Sequence, residues 1–133
     1  MKVIDGKDAI MGRLASYVAR ESLKGEEFAI VNCEQIIITG NKKNIQEGLE
    51  AKRGRVGSTQ KGPKVSRASE KIVKRIIRGM LPNYRVGRGR EAFKRIKCYV
   101  GVPKEFENAE KMKIENKSSI SKSKKTRIKE IAK

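Results

Sequence analysis

An α/β fold is what this sequence predicts, and three observations carry the expectation. Short β-branched runs alternate with stretches whose apolar residues recur every three or four positions. The run Phe28–Val31 is apolar throughout, as in parallel strands covered on both faces. A length of 133 residues suits one domain with room for a tail.

Taken in order, Lys2–Asp5 is a short strand ending at the turn formers Gly6 and Asp8. From Met11 the spacing becomes helical: Met11, Leu14, Ala15, Val18 and Ser22 share one face, with Ala19 at its margin. Gly25 follows the last periodic residue, as a helix-ending glycine does. Ala15, Ala19 and Ser22 are small enough to let this helix approach a sheet closely. Phe28–Asn32 is a second strand and Ile36–Thr39 a third. Gly40-Asn41 then opens a helix over Lys42–Lys52, with Ile45 and Leu49 turned inward and Gly48 costing about 1 kcal/mol relative to Ala.

Residues 53–69 lack periodicity and read as a long basic loop, of a length that is usually functional or disordered. The clearest helix follows. Ile72, Val73, Ile76, Ile77 and Met80 form one stripe, and Lys71, Lys74, Arg75 and Arg78 form the opposite one, spread along about 10 Å. Ser69 is the expected N-cap, Gly79 the expected stop, and Pro82 blocks continuation. Asn83–Arg90 reads as a second basic loop, Glu91–Ile96 as a short helix and Lys97–Val100 as a strand closed by Gly101 and Pro103. The domain is therefore placed at 1–103. Residues 104–133, rich in Lys, Glu, Ser and Asn, are expected to be an extension that orders mainly against a partner, with Ile128 and Ile131 anchoring a last turn.

Charge sorts the functional classes. The chain carries 33 Lys+Arg against 15 Asp+Glu, a net of +18. Residues 42–97 hold 18 of the basic side chains and only 4 acidic ones, whereas residues 1–41 are nearly neutral. Such concentration points to a polyanionic partner, nucleic acid first and an anionic membrane surface second. No apolar run is long enough to span a bilayer, and the N-terminus lacks the continuous apolar stretch of a signal peptide, so a cytosolic protein is expected. The two cysteines, Cys33 and Cys98, belong to no CxxC pair and read as buried thiols, although their spacing leaves a disulfide open.

Catalytic motifs are absent. There is no His, which removes the commonest general base and the usual His-containing zinc sites. Gly6 and Gly12 match neither GxGxxG nor the phosphate loop GxxxxGK[ST], and Gly87-Arg88-Gly89 lacks a third glycine in register. Asp5 and Asp8 are explained by turn and cap duty. Six aromatics, none of them within the basic helix, disfavour a base-stacking platform, while basic loops around a basic helix suit phosphate contacts on folded RNA.

Several stretches are also familiar. Asp5-Gly6-Lys7-Asp8-Ala9-Ile10-Met11-Gly12-Arg13-Leu14-Ala15-Ser16, Val31-Asn32-Cys33-Glu34 and Ile38-Thr39-Gly40-Asn41-Lys42 resemble the universal large-subunit ribosomal protein thirteen family in its archaeal and eukaryotic form. So do Arg78-Gly79-Met80-Leu81-Pro82, Arg88-Gly89-Arg90-Glu91-Ala92, Arg95-Ile96-Lys97 and Tyr99-Val100-Gly101-Val102-Pro103, in the family's order. Val65-Ser66-Arg67-Ala68-Ser69 departs from the pattern where relatives often carry prolines and aromatics, and Gly87 stands where they often carry Pro. The resemblance implies a three-layer α/β/α domain around a mainly parallel four-stranded sheet. It also implies binding to large-subunit ribosomal RNA and to neighbouring ribosomal proteins, a place in cytoplasmic ribosomes, and no catalytic activity.

The expected RNA-binding residues are Arg13, Lys42 and Lys43, then Arg53, Arg55, Lys61, Lys64 and Arg67 of the long loop, then Lys71, Lys74, Arg75 and Arg78 of the helix, then Arg85, Arg88 and Arg90. No metal, cofactor, small-molecule substrate or membrane partner is expected. The rival readings are a non-ribosomal RNA-binding protein and a small nucleotide-using enzyme.

Overall fold

The computed structural model describes residues 1–57, 62–114 and 124–132. Its centre is a four-stranded parallel sheet with the strands in the order Ile96–Cys98, Phe28–Val31, Lys2–Asp5 and Lys111–Lys113. Strand β1 (Lys2–Asp5) pairs with β2 (Phe28–Val31), Ile4 opposite Ile30, and β4 (Ile96–Cys98) extends the sheet beyond β2. Alternation along β2 sends Phe28 and Ile30 to one face and Ala29 and Val31 to the other. All four are fully buried, which is why the strand carries no polar position.

Three helices cover the Phe28–Ile30 face: α1 (Met11–Leu23), α3 (Ser69–Met80) and α4 (Gly87–Lys94). Helix α1 contributes Leu14, Ala15 and Val18, each with no exposed surface, and α3 contributes Ile72, Val73 and Ile77. Ser22 lies buried on the same face, and its hydroxyl donates to the carbonyl of Ala19. The third layer is thinner. Tyr99, Val102, Phe106 and Ala109, from a segment with a single turn of 3-10 helix at Lys104–Phe106, pack over Val3, Ala29 and Val31. No helix among the described residues is long and apolar enough to cross a membrane.

Two boundaries differ from expectation for a local reason. Ser69 is the first residue of α3 and is buried, while Ala68 occupies the cap position. Gly79 lies inside α3. The helix stops after Met80 because Pro82 excludes helical geometry at Leu81, which is extended at φ −88° and ψ 152°.

The C-terminal part corrects the sequence reading, which leaves 104–133 outside the domain awaiting a partner. Two of its pieces complete the fold. Strand β5 (Lys111–Lys113) pairs in parallel with β1 and is the sheet's fourth strand. Strand β6 (Lys125–Arg127) pairs antiparallel with β3 (Ile37–Thr39), so β3 belongs to a separate two-stranded ribbon and not to the main sheet. The last helix, α5 (Ile128–Ile131), buries Ile128 and Ile131, the two anchors expected there. Residues 115–123 and 133 lie outside the described residues.

Candidate nucleic-acid interface

Helix α3 carries the basic face that makes the candidate interface. With Ile72, Val73 and Ile77 held in the core, its 3.6-residue period turns Lys71, Lys74, Arg75 and Arg78 to the opposite side. These four cations line a shallow basin of about 250 Å³ together with Lys64 and Phe93. Among the described residues, none of the four forms an ion pair with a carboxylate, although they repel one another at i, i+3 and i, i+4 spacing. Glu47 turns towards Lys43 at 4.0 Å and Glu91 towards Arg95 at 3.7 Å. Glu70, on the first turn of α3, lines an adjoining depression with Lys71 and Lys74 without an ion pair among the described residues.

Beyond α3, the turn 81–86 adds an aromatic element. The backbone N–H of Arg85 donates to the Asn83 side-chain oxygen at 3.1 Å, which fixes the turn and places Tyr84 against α3. The guanidinium of Arg78 lies 4.6 Å from the centre of the Tyr84 ring, and that of Arg85 lies 5.6 Å from it. Arg85 Nε also donates to the Tyr84 hydroxyl at 3.3 Å. That hydrogen bond, helped by the charges of Arg85, Arg78 and Arg75, holds the Tyr84 phenol below the ordinary tyrosine range. Phe93 of α4 meets Tyr84 edge-on at 6.1 Å and carries the ammonium of Lys74 at 4.9 Å from its ring centre.

Helix α4 begins earlier than its glycines suggest. Gly87 takes a positive φ of 58° on entry, a conformation suited to glycine. Gly89 is buried so closely against the preceding turn that a Cβ there would meet the Asn83 and Pro82 carbonyl oxygens at 2.5 and 2.6 Å. The expected loop 83–90 is thus half helix, and Arg88 and Arg90 are exposed on its first turn.

The remaining expected residues are less uniform. Arg53, at the end of α2 (Lys42–Arg53), is half-buried, and its Nη2 donates to the Ser66 carbonyl at 3.5 Å, bracing α2 against the loop. Arg55 and Arg67 are exposed. Lys42 is paired with Glu130 at 3.1 Å and Lys43 with Glu47, so both are partly neutralised. Arg13 is exposed on α1, one turn from Ser16, whose hydroxyl reaches the Met80 sulfur at 3.6 Å and links α1 to the end of α3. Lys61 lies outside the described residues.

Tyr84 and Phe93 are missing from the sequence-based set because neither lies in the basic helix. They are nevertheless the only aromatics in residues 42–97, which is the signal that marks them. Away from this face, Cys33 and Cys98 are free thiols. A hydrogen bond with Cys98, and then burial, push the Cys33 thiol up. Among the described residues, no group of three or more His, Cys, Asp or Glu is placed to hold a metal ion.

The sequence model of one family, described as Ribosomal protein L13, matches residues 1–105. The chain belongs to the ribosomal protein L13 family. Among its L13 relatives, "Large ribosomal subunit protein uL13" of Methanocaldococcus jannaschii is 50% identical over 116 residues, covering 84% of this chain and 83% of its own length. The protein of the same name from Methanopyrus kandleri is 49% identical over 107 residues, covering 80% of this chain and 66% of its own length. That from Natronomonas pharaonis is 48% identical over 108 residues, covering 81% and 72%. The L13 match runs from β1 through the basic helices into the thin third layer, so it includes α3 and the 81–90 turn.

Proposed function

We infer that this chain is a structural constituent of the large ribosomal subunit that binds folded ribosomal RNA and sits beside other ribosomal proteins. The observation that carries the reading is the α3 face. Four cations stand in a row on a rigid helix, without intramolecular carboxylate partners among the described residues, in a member of the L13 family. Unneutralised charge held in place is suited to phosphates, which position a protein on folded RNA by shape. The contact set proposed is Lys64, Lys71, Lys74, Arg75 and Arg78 with Arg85, Arg88 and Arg90 at the centre. The exposed Arg13, Arg55 and Arg67 are proposed as additional contacts, and Lys61 is proposed from the sequence alone. Arg53, Lys42 and Lys43 serve mainly as braces. The role is not enzymatic.

Sedimentation tests this reading. Tagged full-length chain expressed in an archaeal host should co-migrate with large subunits and crosslink to one dominant region of their RNA. A chain that stays at the top of the gradient, or that crosslinks evenly to many RNAs, contradicts it and favours a general RNA-binding protein.

A further inference from the structure

Aromatic residues near an RNA-binding surface are ordinarily read as stacking platforms for bases. Tyr84 is placed for different work. The Arg78 guanidinium lies 4.6 Å from its ring centre, and Arg85 reaches both ring and hydroxyl. A base arriving at the Arg78-covered face would first have to displace that cation. The Arg78 side chain makes no hydrogen bond or ion pair among the described residues, so its guanidinium N–H groups remain available. Arg85 engages Tyr84 through Nε, which leaves its two terminal nitrogens. Two guanidiniums would ordinarily repel and drift apart. Here the Tyr84 ring engages both, Arg78 at its face and Arg85 at its hydroxyl, and the Asn83 turn and the Phe93 contact hold the ring.

We propose that Tyr84 is a positioning residue of a phosphate clamp, in which Arg78 and Arg85 together grip adjacent phosphodiesters of an RNA strand. The inference rests on the RNA-binding reading above and deepens it by naming the group that orients its cations. Side chains ordered before the ligand arrives lose less entropy on binding, and planar guanidinium forks suit the two-point geometry of phosphate oxygens. The uncharged Tyr84 therefore governs an electrostatic contact.

The test uses the full chain, in vitro transcribed large-subunit ribosomal RNA and a series of KCl concentrations. The variants are Tyr84→Leu, Tyr84→Phe, the pair Arg78→Ala with Arg85→Ala, and that pair combined with Tyr84→Leu. Circular dichroism checks each fold, and Tyr84→Met replaces the leucine variant if helix signal is lost. Tyr84→Leu should weaken binding roughly tenfold, the effect of freeing two rotamer-rich side chains. It should also flatten the dependence of log K on log salt by about 0.7–0.9 for each phosphate lost, although no charge was removed. Tyr84→Phe keeps the ring at Arg78 but loses the hydroxyl that engages Arg85, and its affinity should fall between those of Tyr84→Leu and the wild type. In the arginine-free background, Tyr84→Leu should change almost nothing. Wild-type affinity and slope in Tyr84→Leu overturn the clamp and leave the RNA interface standing. An equal loss in both backgrounds at unchanged slope assigns Tyr84 a packing role only and also overturns it. A wild-type chain whose binding barely responds to salt overturns the interface and the clamp together.

Discussion

Lys42, at the start of α2, and Glu130, in the last helix of the described chain, meet at 3.1 Å. The pair ties α2 to the C-terminal segment beside a second tie, the hydrogen bond from the Gly40 N–H to the Lys124 carbonyl at 2.9 Å. Helix α2 has no buried residue of its own, so its position depends on what α5 and the loop offer it.

That arrangement makes the end of the chain structural. Ile128 is fully buried, and Ile128→Ala should cost about 2–5 kcal/mol in urea unfolding, the usual range for emptying such a site. An unchanged midpoint would return residues 124–132 to the status of a tail.

The Lys42–Glu130 pair has a defined pH signature. The hydrogen bond from Lys42 holds the Glu130 carboxyl below the ordinary carboxylate range. A depressed folded value means the pair stabilises above the unfolded value, about 4.3, and loses that contribution as pH falls through the folded one. Glu130→Gln should therefore lower the melting temperature slightly at neutral pH and leave it unaltered in strong acid. A penalty that persists in acid contradicts the assignment.

Tyr84 supplies a second titration. Its phenol is held below the ordinary tyrosine range, near 10, by the Arg85 hydrogen bond and then by neighbouring charge. The folded state thus favours the phenolate, and its relative stability rises with pH between the folded and unfolded values. Arg85→Ala should raise the Tyr84 titration midpoint, followed by NMR of the labelled ring. No movement would mean that the hydrogen bond is not maintained in solution.

Gly89 ties the turn to α4 by backbone contact. A methyl group there meets two carbonyl oxygens at 2.5 and 2.6 Å, and neither can move without shifting the 82–85 turn. Gly89→Ala should destabilise the protein by about 1–3 kcal/mol, as overpacking does, and should weaken RNA binding beyond that by displacing Tyr84. Wild-type stability and affinity together would contradict the close packing described.

How much of this was legible in the sequence depends on where each signal resides. Helix α1 and most of the α3 stripe follow from periodicity, because Leu14, Ala15, Val18, Ile72, Val73 and Ile77 face one continuous core. Strand β1 follows from its apolar pair Val3 and Ile4, buried on opposite faces of the sheet. The fourth sheet strand was not legible. Lys111-Met112-Lys113 has little strand propensity, and only pairing with β1 at the sheet edge makes it a strand. The ribbon of β3 with β6 joins residues far apart in the chain, which no local pattern reports. The first half of helix α4 was hidden by Gly87 and Gly89, since glycines read as loop until the close contact that requires one of them is seen. In the interface, the α3 cations were plain from spacing, whereas the pairing of Tyr84 and Phe93 with those cations is a tertiary fact.

The central claim is that the α3 face binds ribosomal RNA through phosphates, and salt dependence tests it most directly. With six or more phosphates neutralised, log K against log salt should fall with a slope of about −5. Arg75→Ala with Arg78→Ala should flatten that slope and weaken binding by several kcal/mol, taking about 1.5–3 for each charge-assisted hydrogen bond. Lys42→Ala with Lys43→Ala, which removes cations already paired to Glu130 and Glu47, should cost clearly less. A wild-type slope near −1, or a greater loss from the α2 pair than from the α3 pair, would show that the α3 row is only a solvated face.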